Sequence, residues 1–377
     1  MGRKRIGLLF QFNKNWTGGH YYLLNIIRAL GRLPMESKPH IVLFSQKGKR
    51  PDLEDVTYDF ISDRRIKKPF NLLERVLRKV GVLSKAYVPY YSKNTVSYIY
   101  PYNGDYNFPS LRKIKPVYWL PDFQHKYLTQ FFSSEEIQGR DVQFKAISEK
   151  RSKLVLSSNS AKQDFIKFYP ENKNQTFTIP FATILPDFST VHIDELRIKY
   201  NLEGPYFISP NQFWAHKNHL IILESLVLLK AKGVKFMVVF TGNENDYRNP
   251  GYLQSLKDFV KNNSLEKSVK FLGFIDRVDQ LQLMNNAIGI IQPSFFEGWS
   301  TVVEDGKSMN QFIIASSIEV HKEQLTDYPN AVLFASDKSN DLAMQLEKFG
   351  TNPPVRLRYR YEVKILDFAK SFMAVMN

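Results

Sequence analysis

Short apolar runs alternate with amphipathic stretches along the second half of the chain, and this alternation limits the possible folds more than any other feature. The apolar runs are residues 206–209, 235–242, 269–274, 288–294, 311–317 and 331–336. Helical patterns separate them, at residues 216–231, 252–261, 278–286, 302–309 and 319–325. Because the apolar runs do not alternate with polar residues, they predict parallel strands that helices cover on both faces.

The first half repeats this rhythm less regularly. Its predicted strands are residues 5–12, 40–45, 95–100, 116–120, 153–158 and 176–180. Its clearest helical patterns are residues 21–33 and 161–169, and a segment with two prolines at 180–190 separates the halves. A single core rarely grows beyond about 250–300 residues, so a chain of 377 residues should form two domains.

The predicted fold class is therefore α/β, with two Rossmann-like domains facing each other across a cleft. Such sheets bind ligands at the carboxyl ends of their strands. We expect a first domain at 1–185, a second at 186–357, and a C-terminal helix at 358–377 that packs back on the first domain.

Charge is distributed unevenly between the halves. Residues 1–190 contain 31 Lys and Arg against 16 Asp and Glu, whereas residues 191–377 contain 21 of each. A basic half indicates an anionic partner, which could be a membrane, a nucleic acid or an acidic substrate.

A basic segment at 64–89 could supply a membrane contact. Its apolar residues fall on one face of a predicted helix at 64–85, which is typical of a helix lying in a membrane surface. An ordinary surface helix would show the same pattern. The chain has no apolar run of the roughly 18–20 residues that a membrane span needs, and no cysteine for disulfides or thiolate chemistry.

Three acidic residues follow the apolar run 288–294, in the sequence PSFFEGWSTVVEDGKSM at 293–309. Thr301 and Glu304 have the spacing of a capping box, which predicts that Thr301 caps a short helix and that Glu304 reaches back to it. Asn310 fits the left-handed position after that helix. Glu297 and Asp305 have no such local role, so they are the candidates for ligand contacts.

A second candidate lies in the sequence SPNQFWAHKNH at 209–219, between a predicted strand and a helix. A lysine at a helix N-terminus is disfavoured by the helix dipole, by about 0.3–1 kcal/mol. Lys217 is therefore better explained if a bound anion such as a phosphate lies there.

Together these motifs resemble the retaining GT-B glycosyltransferases of family four, which carry a Glu, seven residues and a second Glu after a P-S-x-x-E-G pattern. Here the first acid is Glu297 and the second position is Asp305. The resemblance implies that Glu297 contacts the donor sugar, that Asp305 holds the ribose and that Lys217 binds the diphosphate. The family usually has an arginine five or six residues before that lysine, where this chain has Asn211 and Gln212.

The resemblance also assigns other donor contacts, and His216 or Arg277 could share the diphosphate charge. The remaining implied donor-binding residues are Asn211, Gln212, His216, Gly242, Phe274, Ile275, Gly298, Trp299, Ser300 and Thr301. In the first domain it implies a catalytic role for His125 and Asp122, and a phosphate or acceptor loop at Gly18 and Gly19.

The implied activity is transfer of a sugar from a UDP- or GDP-sugar to a glycan or lipid-linked acceptor, with retention and without a metal or other cofactor. The expected setting is bacterial surface polysaccharide assembly, in the cytoplasm and on the anionic inner face of the inner membrane. No nucleic-acid partner is expected.

Two other interpretations stay open at this level. A glycoside hydrolase could use Glu297 and Asp305 as its carboxylate pair, and a basic module could bind membrane or nucleic acid without catalysis. Lys217 counts against the hydrolase, because a hydrolase has no need of an anion site. The large aliphatic residues of 64–89 count against a nucleic-acid surface.

Overall fold

The computed structural model describes residues 3–10, 17–46, 58–66, 86–87, 96–102, 106–107 and 114–377. The chain divides into two compact units. The first comprises residues 1–122, 141–184 and 362–377, and the second comprises residues 123–140 and 185–361.

The first unit is built on a parallel sheet. Its described strands are β1 (Arg5–Phe10), β2 (His40–Gln46), β3 (Ile61–Ile66), β4 (Ala86–Tyr87), β5 (Tyr98–Tyr102), β6 (Tyr106–Asn107), β7 (Lys115–Leu120), β8 (Lys153–Leu156) and β9 (Gln175–Thr178). Seven of them pair in the order β3-β2-β1-β5-β7-β8-β9, and β4 pairs with β6. The interior strands are almost completely buried, which explains why their sequences are apolar on both faces.

The second unit has a six-stranded parallel sheet. Its strands are β10 (Tyr206–Ser209), β11 (Met237–Phe240), β12 (Val269–Phe271), β13 (Ile290–Gln292), β14 (Ile313–Ser316) and β15 (Ala331–Phe334). They pair in the order β12-β11-β10-β13-β14-β15. The order reverses direction between β10 and β13, and ligands of such sheets bind outside the carboxyl ends of the strands at this switch point.

Helices cover both sheets. The described α-helices are α1 (Thr17–Gly31), α2 (Gln124–Tyr127), α3 (Ser134–Ser148), α4 (Asn159–Phe168), α5 (Ile193–Tyr200), α6 (His219–Ala231), α7 (Tyr252–Asn262), α8 (Arg277–Asn285), α9 (Thr301–Ser308), α10 (Glu319–Leu325), α11 (Ser339–Thr351) and α12 (Glu362–Val375).

The last helix, α12, lies within the first unit and packs against α1. The carbonyl groups at its C-terminal end have no partners within the helix, and two lysines supply them. Lys153 Nζ donates to the carbonyl of Val375 at 2.7 Å, and Lys4 Nζ donates to that of Met376 at 3.0 Å. Positive charge at this end also matches the helix dipole.

The strands and helices predicted for the second half are confirmed, with small shifts at their ends. The largest shift concerns the helix predicted at 216–231. It begins at His219, because Ala215–Lys217 form a 3-10 turn and Asn218 takes a left-handed conformation with φ 54°. Asn310, with φ 55°, has the predicted left-handed conformation after α9.

In the first half, the helix predicted at 21–33 begins at Thr17. Gly18 and Gly19 therefore lie in the first turn of α1, and the prediction that they form a loop is wrong. Two elements had no periodic apolar signal and were not predicted, namely β3, with the charged sequence ISDRRI, and the polar helix α3.

Most of the predicted surface helix at 64–85 lies outside the described residues, and its described part, residues 64–66, ends β3. Within the part of the chain that the structure describes, no helix is long and apolar enough to cross a membrane.

Candidate functional site

The loops that follow β10 and β13 begin on either side of the switch point and bring together two of the predicted residues. Lys217 lies in the first loop and Glu297 in the second. The Lys217 ammonium is 2.6 Å from Glu297 Oε1. Their side chains retain 19% and 10% of their exposure, so the pair is largely but not fully shielded from solvent.

Asn218 fixes the position of Lys217. Its amide donates to the carbonyl of Pro293 at 3.2 Å and to that of Ser336 at 2.9 Å, which ties the loop after β10 to the loops after β13 and β15. A left-handed conformation is more accessible to asparagine than to most residues, so Asn218 suits the turn between the 3-10 segment and α6.

Glu297 Oε1 accepts three hydrogen bonds. Besides Lys217, the donors are Gln292 Nε2 at 2.8 Å and Ser294 Oγ at 2.7 Å. Burial by itself raises the pKa of a carboxyl group, but the charge of Lys217 and these hydrogen bonds outweigh it and hold the pKa of Glu297 below its usual value. Glu297 is therefore an ionised, rigidly held carboxylate at neutral pH.

His321 belongs to the same electrostatic environment, and the sequence analysis did not single it out. It is fully buried, and burial lowers its pKa to about 4, with the charge of Glu297 opposing this effect. Its Nδ1 lies 2.9 Å from the Ser316 carbonyl oxygen. Since a carbonyl only accepts, Nδ1 carries the proton of the neutral ring, and the buried Nε2 has no hydrogen-bond partner among the described residues.

The second predicted acid, Asp305, is held by a different cation. Arg277 Nη2 lies 2.5 Å from Asp305 Oδ2, and the side chain of Asp305 is 1% exposed against 22% for Arg277. Arg277 Nη1 also donates to Gln280 Oε1 at 2.8 Å. Asp305 thus lies behind Arg277 and is not open to solvent.

Glu304 has a third arrangement, and the predicted capping box is wrong. The N-cap of α9 is Ser300, whose hydroxyl accepts from the Val303 amide at 3.3 Å. Glu304 therefore lies one position further into the helix than a capping box requires, and its side chain points inward. It pairs with Lys307 at 3.2 Å, and both side chains are less than 5% exposed.

Further contacts complete the surroundings of Glu304. Gln324 Nε2 donates to its Oε1 at 2.8 Å, and the Tyr361 hydroxyl bonds to its Oε2. Gly306 allows α9 to lie this close to the sheet, because a Cβ at that position would be 2.9 Å from Ile313 Cδ1. Glu304 is thus a structural residue, by a mechanism other than capping.

The loop after β11 approaches the loop after β10 so closely that only glycine fits. A Cβ on Gly242, which has φ 151°, would lie 2.2 Å from the Asn211 carbonyl oxygen. Asn211 is itself 2% exposed. This contact gives both residues a packing role whether or not a ligand approaches them.

The chain was compared with known families and solved structures. Residues 193–365 match the model of the glycosyl transferases group 1 family. The second unit is a group 1 glycosyltransferase domain. No curated protein matches the sequence in a search of such proteins.

The whole chain also resembles solved structures of the GT-B fold. A glycosyltransferase from Rickettsia africae matches with a TM-score of 0.67 and 14% identity, over 100% of this chain and 98% of that one. Sucrose-phosphate synthase from Thermosynechococcus elongatus matches with a TM-score of 0.63 and 16% identity, over 100% and 95%.

Anabaena HepE in complex with UDP and glucose has the same TM-score of 0.63 and the same identity of 16%, over 99% of this chain and 94% of that one. At these identities the likeness shows the fold, so the chain is a glycosyltransferase with two Rossmann-like units.

Other predicted donor contacts of the glycosyltransferase domain lie at the same strand ends. Phe274 is 75% exposed and Ile275 is half-buried, both after β12. Gly298, Trp299 and Thr301 are half-buried around the start of α9, whereas Ser300 is buried by its capping role.

His216 cannot supply the positive charge that the missing arginine would have given. Burial, and then the charges of Lys217 and Arg248, lower its pKa well below the usual value. It is therefore neutral at pH 7 and could offer only a hydrogen bond. Gln212, the other neutral residue of this loop, is half-buried.

The predicted catalytic residues of the first half are not both in the same unit. Asp122 is half-buried at the end of a segment of the first unit, whereas His125, in α2, belongs to the second. His125 is fully buried and packs edge-on against Phe132, with ring centroids 6.4 Å apart. A role for either residue at a reacting sugar stays a prediction.

Residues 123–140 join the second unit through contacts near the loop that carries Glu297. The Tyr127 ring stacks on Phe296 at 5.5 Å, and the Arg248 guanidinium lies 4.1 Å from the Phe132 ring centroid. Arg248 also lies 4.8 Å from the Trp214 ring centroid, in the loop that carries Lys217.

In the first unit, Gly19 is buried and Gly18 is half-buried at the start of α1. The described residues contain no group of three or more His, Asp or Glu side chains that could hold a metal ion.

Proposed function

We propose that the chain is a retaining glycosyltransferase that moves a sugar from a nucleoside diphosphate-sugar to a glycan or lipid-linked acceptor. The observation that carries this proposal is the Lys217–Glu297 pair, held 2.6 Å apart at the switch point of the group 1 domain. A cation for phosphate and a carboxylate for sugar hydroxyls lie together where sheets of this order bind ligands.

In the proposed reaction, an acceptor hydroxyl attacks the anomeric carbon from the face that the diphosphate leaves. The bond between the anomeric carbon and the phosphate oxygen breaks, and the leaving phosphate takes the hydroxyl proton. Lys217 stabilises the charge that develops on that phosphate, which is the kind of fixed electrostatic contact that lowers barriers most. Glu297 accepts hydroxyl groups of the sugar and fixes its orientation.

UDP is the first nucleotide to test, because Anabaena HepE was solved in complex with UDP-glucose. GDP-sugars remain candidates. Surface polysaccharide assembly is supported by the similarity to WaaG, a glycosyltransferase involved in lipopolysaccharide biosynthesis, which matches with a TM-score of 0.61 and 14% identity. We further propose that the enzyme needs no metal and that its basic first half meets the anionic inner surface of the membrane.

The state of Glu297 disfavours the alternative of a glycoside hydrolase. The general acid of a glycosidase needs a raised pKa so that it is protonated at neutral pH. Lys217 and the hydrogen bonds to Oε1 have the opposite effect on Glu297.

The test is a screen of UDP- and GDP-sugars by thermal shift, since a ligand that binds only the folded protein raises the melting temperature. The donor that binds is then incubated with lipid-linked glycans, with and without EDTA, and the anomeric configuration of the product is read by NMR. We expect a product with the donor's configuration and equal rates with EDTA. An inverted product would contradict retention, and failure of every nucleotide-sugar to bind would contradict the proposal as a whole.

A further inference from the structure

The donor site of the proposed enzyme needs more positive charge than Lys217 provides. A diphosphate carries several negative charges, and Lys217 already faces the carboxylate of Glu297. The loop residues Asn211 and Gln212 are neutral, and burial keeps His216 neutral as well. A second cation must therefore come from outside this loop.

Arg277 is placed to supply it. It is the first residue of α8, directly after the carboxyl end of β12, and its side chain extends to Asp305 in α9, the helix that follows the Glu297 loop. The guanidinium thus joins the strand ends on one side of the switch point to the helix on the other. Helix N-termini such as that of α8 also favour anions.

Two side chains hold the guanidinium in place. Asp305 binds Nη2 at 2.5 Å, and Gln280 binds Nη1 at 2.8 Å. Gln280 is fixed in turn, because its Nε2 donates to Thr241 Oγ1 at 2.9 Å at the end of β11. A planar guanidinium held at both ends has a defined orientation before a ligand arrives, and its geometry suits the paired oxygens of a phosphate.

The exposure of the pair decides which member a ligand meets. Arg277 keeps 22% of its side-chain exposure and Asp305 keeps 1%. A ligand at this edge therefore reaches the guanidinium before the carboxylate. This differs from the expectation that Asp305 itself binds the ribose hydroxyls.

We propose that Arg277 is the second cation for the diphosphate of the donor, and that Asp305 is a positioning residue for Arg277 and does not contact the ribose. This inference rests on the proposed function. It assigns the substitution of Asp for the family's second Glu a consequence, since the shorter acid pairs with an arginine that then makes the contact with the ligand.

The test is calorimetric titration of UDP, UMP and 2′-deoxy-UDP into the unsubstituted protein and into Arg277→Gln, Arg277→Lys and Asp305→Asn. Arg358→Gln is the control for loss of a positive charge, because Arg358 is exposed on the same unit. We expect Arg277→Gln to weaken UDP at least tenfold and UMP much less, and Arg277→Lys to fall between. Asp305→Asn should weaken UDP about threefold and leave the ratio of UDP to 2′-deoxy-UDP unchanged.

Equal UDP affinity in Arg277→Gln and the unsubstituted protein would overturn the role of Arg277, as would equal losses for UDP and UMP. A preference for UDP over 2′-deoxy-UDP that disappears in Asp305→Asn would overturn the positioning role. If Arg277→Gln does not fold, an unchanged UDP affinity in Arg277→Lys overturns the inference. If the unsubstituted protein binds UDP but all variants bind it equally, this inference fails and the proposed function stands; if it binds no nucleotide, the proposed function fails first.

Discussion

Two lysine–glutamate pairs in the second unit have similar chemistry and different surroundings. Lys217 and Glu297 come from separate loops and keep 19% and 10% of their exposure, whereas Lys307 and Glu304 lie on one helix and keep 4% and 2%. The first pair lies at the strand ends of the switch point. The second is enclosed by Gln324 and Tyr361 between α9 and the rest of the unit.

The difference shows why burial and position matter more than residue type. A pair that is partly exposed at the edge of a sheet can exchange partners with a ligand, because its members lose little when the ligand replaces one of them. A fully buried pair cannot, because removing one member leaves an uncompensated charge in the interior. We therefore assign ligand binding to the first pair and stability to the second.

The largest expected effect is on stability, from the buried pair. Lys307→Met should lower the free energy of unfolding by about 3–5 kcal/mol, because Glu304 then remains buried without its cation. Urea denaturation measures the loss. The activity per folded molecule should change little, and a variant with unchanged stability would contradict the structural role of this pair.

The next effect is on turnover, from the partly exposed pair. Lys217→Met and Glu297→Gln should each lower kcat/KM about 100- to 1000-fold, which corresponds to about 2.7–4 kcal/mol of transition-state stabilisation. Steady-state kinetics with the donor found by the nucleotide screen measures this. The melting temperatures should stay close to that of the unsubstituted protein, and normal turnover by either variant would remove these residues from the site.

Acidification should affect stability through His321, which faces Glu297, Lys217 and the Ser316 carbonyl. Its pKa is about 4 in the folded protein and about 6.5 when unfolded, so the unfolded chain binds a proton that the folded one excludes. Stability is therefore retained above pH 6.5 and lost as the pH falls towards 4, by up to about 3 kcal/mol.

Urea denaturation at pH 7, 5.5 and 4.5 measures this dependence. Buried His219 adds a slope of its own, so the contribution of His321 is the difference between the unsubstituted protein and His321→Asn. Parallel pH profiles for the two proteins would contradict the assignment.

The smallest effect concerns the cap of α9, which separates the corrected cap from the predicted one. Ser300→Ala should cost about 0.5–2 kcal/mol because the Val303 amide loses its acceptor. Thr301→Ala, the matched control, should cost less, because Thr301 lies inside the helix. Thermal melts of both variants compare them, and the opposite ranking would restore Thr301 as the cap.

The sequence predicted the fold well where the strands are buried on both faces, because an uninterrupted apolar run such as 311–317 has few alternatives. It also predicted that Glu297 and Lys217 belong to one site, since parallel strands bring their following loops to the same edge. The strand β3 and the helix α3 were missed because their stability comes from their neighbours and not from a periodic apolar pattern of their own.

The sequence could not separate the three acids correctly. Ser300 and Thr301 are both good N-caps, and a shift of one residue changes Glu304 from a capping acid into the partner of Lys307. The pairing of Asp305 with Arg277 joins residues 28 positions apart and leaves no local signal. His321 was missed for the same reason, because a single buried histidine in a helix has no distinguishing pattern.

The most direct test of the account compares the two lysines by the same substitution. UDP-glucose, or the nucleotide-sugar that the screen identifies, is titrated calorimetrically into Lys217→Met and Lys307→Met at a temperature at which both are folded. We predict that Lys217→Met binds at least tenfold more weakly than the unsubstituted protein and that Lys307→Met binds as the unsubstituted protein does. Equal affinity in the two variants would contradict the assignment of the donor site to the Lys217–Glu297 pair.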